Sequence, residues 1–236
     1  MPLDPKHPPS RLRELISDVG AKVALCSRSH HVGASEVVSN AVIVDRLSLK
    51  KLPVPEHAHL KRDVAPNNPA YCLFTSGTTG KPKGTIIPHQ AFCTSALAFT
   101  RGLNIHQDSR TFQFASYTFD ASCIEILSAL MTGATVCVPT EDDRTSDPAG
   151  AIRRMKANWS LLTPSVLSIL KPTQLSTLET LVAGGEAVPA AEAEKWQNKL
   201  QFVIGKYFTV RIMEKYWLIK SSLWSDGDCC RGKHCP

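Results

Sequence analysis

The amino-acid sequence predicts an α/β fold, with a mostly parallel β-sheet and flanking helices. Short β-branched and apolar segments alternate with helical segments over the first 200 residues, as in sheets whose parallel strands are joined by crossover helices. The composition, 43% hydrophobic and 20% charged among 236 residues, is that of an ordinary globular chain that buries a substantial core. We therefore expect ligands to gather where the strands end, at the carboxyl edge of the sheet.

The predicted helices begin and end at local signals in the sequence. Ser10 is expected to cap the first helix and Gly20 to stop it, Asp120 to cap a later helix, and Pro164 to lie in the first turn of another. The predicted helical ranges are 10–20, 89–102, 120–133, 147–158, 163–170 and 188–200.

The predicted strands are short runs rich in Val, Ile, Leu and aromatic residues. Their ranges are 22–27, 41–45, 71–76, 84–88, 111–116, 134–139, 159–162 and 178–185. The segment 52–69 is rich in Pro and His without periodicity, so we expect a surface connection there.

Charge and cysteine usage narrow the classes of function. Of the net charge of +6, half falls in residues 201–236, and no Lys/Arg run with interleaved aromatic residues occurs, so we expect no nucleic-acid partner. No apolar leader or membrane-length run is present, so we expect no membrane partner. Cys26, Cys72, Cys93, Cys123 and Cys137 lie in apolar stretches and are interpreted as buried thiols, which favours a cytoplasmic setting.

The segment TSGTTGKPKG, from Thr75 to Gly84, has the composition of a phosphate-binding loop. It follows a predicted strand and combines hydroxyls, glycines and lysines with no acidic residue. Its spacing is neither that of a Walker loop nor that of a Rossmann fingerprint. A hairpin tip rich in turn residues is the alternative, but the length and charge of the loop favour phosphate. The candidate residues are Thr75, Ser76, Gly77, Thr78, Thr79, Gly80, Lys81, Lys83 and Gly84.

Two further unusual segments fall at the ends of predicted strands or at helix starts. They are Phe119–Ser122 (FDAS) and Ala183–Glu186 (AGGE). Because the ends of parallel strands meet at one edge of a sheet, we expect these segments and Thr75–Gly84 to share one site.

These motifs resemble those of the adenylate-forming (AMP-binding) enzymes. YCLFTSGTTGKPKG is similar to their signature loop, and FDAS, LVAGGEAVP and the opening PLDPKHPPSRLRELISDVGAK resemble the adenylation domains of nonribosomal peptide synthetases. The resemblance covers roughly Pro2 to Leu200. It implies that a substrate carboxylate attacks the α-phosphorus of ATP, giving acyl-AMP and pyrophosphate, and that a thiol then takes the acyl group.

The resemblance also implies the cofactors and the partners. ATP and Mg²⁺ would serve the first step, and the phosphopantetheine thiol of a carrier domain would serve the second. The substrate would be an amino acid. No protein nucleophile is implied, so no catalytic residue is nominated, and no metal ligand is nominated either.

Residue roles follow from the same resemblance. Thr75–Gly84 would surround the β- and γ-phosphates, while Gly184, Gly185 and Glu186 would lie at the adenine end. Asp120 would bind the α-ammonium of the amino acid, although an Asp at this position is also a common helix cap. The side-chain pocket would include Ala121, Ile124, Leu162, Val182 and Gly184, for which core packing is the alternative.

The domain boundary is expected near Leu200. Residues 1–200 would form a partial AMP-binding core, truncated at both ends, and residues 201–236 a poorly ordered tail outside the family. From about Gly205 onward, this tail would be translated from intron or out-of-frame sequence. The family's Tyr-Gly-Pro-Thr-Glu motif, which supplies a magnesium ligand, is missing. Two other interpretations stay open: an inactive truncated product with residual nucleotide or phosphate binding, and an acyl-CoA ligase, against which Asp120 argues.

Overall fold

The computed structural model describes residues 1–51, 64–75 and 82–196, together with the backbone of two strands at 200–204 and 218–220. The chain divides into two compact units. The first comprises Met1–Thr94 and Ser116–Asp120, and the second comprises Ser95–Ala115 and Ala121–Pro236.

The second unit is built on a six-stranded sheet. Its strands are β5 (Arg110–Phe112), β6 (Thr135–Cys137), β7 (Trp159–Leu162), β8 (Thr180–Ala183), β9 (Leu200–Ile204) and β10 (Leu218–Lys220). The order across the sheet is β10-β9-β8-β7-β5-β6, and every neighbouring pair is parallel except β9 with β10. The α/β class and the mostly parallel sheet expected from the sequence are thereby confirmed.

Helices flank this sheet, and three of them start at a side chain that caps them. They are α5 (Ala121–Cys123), which runs on through a π-helical turn at Ile124–Ser128 into α6 (Ala129–Met131), then α7 (Glu141–Ser146), α8 (Pro148–Arg154), α9 (Pro164–Ile169) and α10 (Ala190–Trp196). Thr140, Asp147 and Thr163 each accept a backbone N–H in the first turn of α7, α8 and α9, and proline opens α8 and α9.

Two apolar clusters cover the two faces of the sheet. Side chains alternate along each strand, so Leu161 and Val182 point into one cluster whereas Leu162 and Leu181 point into the other. The cluster that contains Leu161 and Val182 also includes Ile124 and Phe99, the latter from the helix that precedes β5. The cluster that contains Leu162 and Leu181 also includes residues of α8, α9 and α10. A sheet covered on both faces explains why all four residues of β7 and of β8 are buried.

The first unit contains two small sheets. Strands β1 (Val23–Cys26) and β2 (Asn40–Ile43) pair in parallel, and β3 (Pro69–Thr75) and β4 (Lys83–Pro88) form an antiparallel hairpin. Its helices are α1 (Pro9–Asp18), α2 (His31–Val37) and α3 (Arg46–Lys50), and α4 (His89–Gly102) begins in this unit and ends in the second.

Several expectations need correction. Helix α1 starts at Pro9, so Ser10 lies inside it and does not cap it, although Gly20 follows with a φ of +63° as a helix stop requires. The strand expected over 111–116 ends at Phe112. The Gln113 N–H still donates to the Cys137 carbonyl of β6, but the N–H groups of Phe114 and Ala115 bond to the Glu125 side chain instead of a strand. Helices α2, α3 and α7 are not among the predicted elements.

The cysteines are less uniformly buried than expected. Cys137 is buried, Cys26, Cys72 and Cys123 are partly exposed, and Cys93 is exposed, because it lies on the solvent side of α4. All five are free thiols. None of the helices in the described ranges is both long and apolar enough to cross a membrane.

Candidate functional site

The glycine-rich segment connects the two strands of an antiparallel hairpin. Thr75 is the last residue of β3 and pairs with Lys83, the first of β4, while Phe74 pairs with Gly84. Lys83 and Gly84 are exposed, and the Thr75 hydroxyl donates a long hydrogen bond of 3.5 Å to the Lys83 carbonyl. A hairpin was the alternative interpretation of this segment in the sequence, and the pairing of β3 with β4 shows that the segment does connect a hairpin.

Gly84 also has a packing reason to be glycine. A Cβ at this position would lie 3.1 Å from two carbons of the Phe74 ring, its cross-strand partner. A larger residue would push that ring away and alter the strand that leads into the loop. The other loop candidates, Ser76, Gly77, Thr78, Thr79, Gly80 and Lys81, lie outside the described residues.

Asp120 lies at the junction between an irregular segment and a helix. The five residues Ser116–Asp120 connect Ala115, beyond the end of β5, to Ala121, the first residue of α5. Asp120 is half-buried, and Phe119 before it is 62% exposed. The sequence therefore placed Asp120 correctly at a helix start, with its side chain partly open to solvent.

The predicted pocket residues do not all share one face of the sheet. Ile124 and Val182 are buried in one cluster with Ala121 packed against it, whereas Leu162 is buried in the cluster on the opposite face. The residue that shares the face of Val182 is Leu161, which stands directly opposite it in the parallel register. Alternation along β7 places the two leucines on opposite faces, but because all four residues of WSLL are buried, the sequence pattern does not indicate which leucine shares the face of Val182.

The chain makes a tight turn at the carboxyl end of β8. The Gly184 N–H donates to the Leu162 carbonyl at 3.1 Å, and Gly185 follows with a φ of +86°, a conformation that favours glycine. The Glu186 carboxylate then accepts both the backbone N–H (3.0 Å) and the hydroxyl of Ser165. It thereby ties this turn to the first turn of α9, next to the capping Thr163.

Glu125 is a functional candidate that the sequence analysis missed. It lies in the π-helical turn with no exposed surface, and its carboxyl group accepts the N–H groups of Phe114 (3.1 Å) and Ala115 (3.0 Å). Burial raises its pKa from the ordinary value of 4.5 to about 8, against the opposing effect of these bonds and of Arg144. An acidic residue between apolar neighbours in CIEIL was the available signal.

The described residues contain no group of three or more His, Cys, Asp or Glu side chains placed to hold a metal ion. The polar groups near strand ends are instead hydroxyls, backbone amides, single carboxylates and Lys83. Hydroxyls, backbone amides and Lys83 can donate hydrogen bonds to an anionic group, and a single carboxylate can accept them from an ammonium group.

Comparison with known proteins gives a consistent result. The family model described as AMP-binding enzyme matches residues 1–218. Nonribosomal peptide synthetase 4 of Gibberella zeae is 45% identical over 204 residues, 86% of this chain and 3% of its own length. Nonribosomal peptide synthetase 1 of Aspergillus fumigatus is 42% identical over 206 residues, 87% of this chain and 3% of its length.

Among solved structures, the Vibrio cholerae adenylation domain AlmE, in complex with glycyl-adenosine-5'-phosphate, superimposes with a TM-score of 0.72. It is 22% identical, and the match covers 86% of this chain and 44% of that one. The chain thus spans about one thirtieth of the curated relatives and under half of this structure.

Proposed function

Because the chain belongs to the AMP-binding enzyme family, we propose that it is a segment of an amino-acid adenylation domain in a nonribosomal peptide synthetase. The observation that carries this proposal is the conjunction of a hydroxyl-, glycine- and lysine-rich hairpin connection with Asp120 before helix α5. The similarity to two fungal peptide synthetases supports the amino acid as the substrate class.

In the proposed first step, a carboxylate oxygen of the amino acid attacks the α-phosphorus of ATP. The bond to the bridging oxygen breaks, and aminoacyl-AMP and pyrophosphate form. Negative charge gathers on the phosphates, so cations and N–H donors directed at them lower the barrier. Lys83 and the backbone around Gly84, both exposed, are the described groups suited to this task.

In the second step, a carrier thiol attacks the carbonyl carbon and AMP leaves. The thiol would belong to a phosphopantetheine group on a carrier domain. Magnesium would neutralise phosphate charge when bound, but the described residues contain no group of three or more His, Cys, Asp or Glu side chains placed to hold it. We place this chemistry in the cytoplasm, a location with which the five free thiols are compatible.

The amino-acid substrate would be held by a carboxylate at its α-ammonium group and by apolar residues around its side chain. We assign the α-ammonium to Asp120, since an ammonium–carboxylate pair is a strong charge-assisted hydrogen bond. Ala121, Ile124, Leu162, Val182 and Gly184 remain our candidates for the side-chain wall. Because Leu162 packs on the opposite face, Leu161 is the better-placed of the two leucines. An apolar wall favours an uncharged amino acid.

The adenine end is assigned to Gly184, Gly185 and Glu186. The Glu186 carboxylate already accepts two hydrogen bonds from Ser165, so its contribution would be to fix the backbone of this turn. The glycines leave space for a flat ring to approach that backbone.

The phosphate assignment is tested by calorimetry on the 236-residue chain with ATP and with pyrophosphate. Lys83→Ala should weaken both about 10-fold, because a charge-assisted bond is lost. Lys51→Ala, which removes another exposed lysine of the same unit, is the matched control and should bind as the wild type does. Equal affinity of wild type and Lys83→Ala would contradict the phosphate role.

The substrate class is tested by ATP–pyrophosphate exchange with pooled amino acids, and separately with fatty acids. Exchange that depends on amino acids supports the proposal. Exchange driven by fatty acids alone would make the chain an acyl-CoA ligase, and nucleotide binding without exchange would make it an inactive nucleotide-binding product.

A further inference from the structure

Two polar side chains from different helices hold one peptide unit beyond the end of β5. The Oε2 atom of Glu125 accepts the N–H of Phe114 at 3.1 Å and of Ala115 at 3.0 Å, together with the side-chain amide of Gln113 at 3.3 Å. From α7, the Nη1 atom of Arg144 donates to the Phe114 carbonyl at 3.0 Å. Both backbone polar groups of Phe114 are thus bound to side chains and not to a neighbouring strand.

Burying the Glu125 carboxyl group and part of Arg144 costs desolvation free energy that a contact between apolar side chains would not. Glu125 has no exposed surface, and a buried carboxyl is tolerated only where its hydrogen bonds are well satisfied. Arg144 is 22% exposed and is held on its other side by Glu141 at 2.8 Å. Four N–H donors and one carbonyl are used to fix a stretch of only three residues.

That stretch adjoins the segment that ends at Asp120. Ala115 precedes Ser116–Asp120, and Ala121 follows it as the first residue of the helix that also contains Glu125. One end of the segment is therefore joined covalently to this helix, and the other end is joined to it through the Glu125 carboxyl. The five residues form a loop closed at its base by Glu125.

We propose that Glu125 and Arg144 are positioning residues, which fix both ends of Ser116–Asp120 and thereby orient Asp120 for the ammonium group of the substrate. The inference rests on the proposed function, since it gives Asp120 its ligand. Neither side chain is assigned a contact with the substrate. Each acts through the backbone of Phe114 and Ala115.

A purely structural role makes a different prediction. If the two side chains served only to satisfy buried backbone groups, their loss would destabilise the unit without favouring one substrate over another. If they orient Asp120, their loss should weaken the use of the amino acid while leaving the use of ATP unchanged.

The first measurement is amide hydrogen exchange of the 236-residue chain, read on peptides that cover 113–121. Arg144→Met and Glu125→Ala should speed exchange there about 10- to 100-fold, whereas peptides from β7 and β8 should stay protected. Glu125→Gln keeps an oxygen acceptor of the same shape and should restore protection. Arg154→Met removes an arginine of α8 whose ion pairs are with Asp143 and Asp147 and not with the 113–115 backbone, so peptides covering 113–121 should exchange as in the wild type.

The second measurement is ATP–pyrophosphate exchange. Arg144→Met should raise the KM for the amino acid about 10-fold with the KM for ATP unchanged, and Glu125→Gln should stay near wild type. Unchanged protection of 113–121 in Arg144→Met, or equal shifts in both KM values, would overturn the proposal. If the wild type lacks amino-acid-dependent exchange, the proposed function fails, and hydrogen exchange alone then decides whether Glu125 and Arg144 fix the segment.

Discussion

The strands of the two units differ in burial much more than in composition. Both β1 (VALC) and β7 (WSLL) are short apolar runs that the sequence predicts as parallel strands. All of β7 is buried, whereas β1 alternates between exposed and half-buried residues and its Leu25 is 71% exposed. The burial differs because the two strands have different partners. Strand β7 lies in the middle of a sheet with apolar clusters on both faces, whereas in the described part of the chain β1 pairs with β2 alone.

This difference separates the apolar core from the proposed ammonium and phosphate contacts. The second unit contains both large apolar clusters, together with the residues that we propose for the side-chain wall and the adenine end. The first unit contains Asp120 and Lys83, to which we assign the α-ammonium and phosphate contacts. Substitutions in the core of the second unit should therefore lower stability, whereas substitutions of Asp120 and Lys83 should weaken binding without a large change in stability.

The largest effect is expected in the core of the second unit. Trp159 is 1% exposed, and its indole Nε1–H donates to the Leu103 carbonyl at 2.8 Å. Trp159→Ala should lower the free energy of unfolding by about 3–5 kcal/mol, since it leaves a cavity and an unpaired carbonyl. Urea denaturation followed by circular dichroism measures this change.

Leu25→Ala is the matched change in the first unit and should shift the same transition by less than about 0.5 kcal/mol, because the side chain is already in water. A cost for Leu25→Ala comparable to that of Trp159→Ala would mean that β1 is covered in solution, and the contrast between the units would then fail.

The second prediction concerns pH and Glu125. Its folded pKa, raised to about 8, exceeds the ordinary value of 4.5, so between these values the folded chain holds a proton that the unfolded chain has released. The stabilising contribution of this proton is complete below about pH 4.5 and is lost as pH rises toward 8, by up to about 1.4 kcal/mol per pH unit.

Glu125→Gln should remove this slope, because an amide does not titrate. The stability of the variant relative to wild type should therefore increase from pH 5 to pH 8 in paired urea titrations. Parallel curves across that range would show that Glu125 is already ionised and held by Arg144 and its N–H donors.

The third prediction concerns function in the first unit. Asp120→Ala should reduce amino-acid-dependent pyrophosphate exchange about 10- to 150-fold, equivalent to about 1.5–3 kcal/mol for a lost charge-assisted bond, with ATP affinity unchanged. Asp18→Ala removes an exposed carboxylate of helix α1 in the same unit and serves as the control. An unaffected exchange rate would leave Asp120 as a residue of the helix start and nothing more.

The sequence predicted those elements whose ends are marked locally. Helix α4 spans His89–Gly102 and strand β7 spans Trp159–Leu162, as expected, since turn residues or caps bound each of them. The predicted range of β5 was too long, because the backbone N–H groups of Phe114 and Ala115 bond to Glu125 of a later helix, and no local pattern encodes that contact. The motif residues were identified by resemblance, and the shared site expected for them stays a prediction.

The sequence predicted least well which side chains lie on the same face of the sheet. Leu162 was chosen where the register sets Leu161 opposite Val182, because an apolar run such as WSLL, buried on both faces, gives no alternation by which to assign a side. Glu125 was passed over for a similar reason. In an amphipathic helix a single acidic residue is ordinarily exposed, so the apolar neighbours in CIEIL were a weak signal, and the tertiary structure shows Glu125 to be buried.

The smallest expected effect compares helix caps in the two units. Thr163 accepts the Val166 N–H at the start of α9, which buries Leu167 in the second unit, and Ser48 completes a reciprocal capping box with Asp45 on α3 in the first. Thr163→Ala should lower the free energy of unfolding by about 1 kcal/mol, because it leaves the Val166 N–H without its side-chain acceptor in a helix that contributes Leu167 to the core. Thr163→Ser keeps the acceptor and should recover most of that loss. Ser48→Ala should leave the main transition in place and change only the local hydrogen exchange of residues 45–51. A main transition shifted as much by Ser48→Ala as by Thr163→Ala would show that the two units unfold together, and the separation of stability from binding would then have to be abandoned.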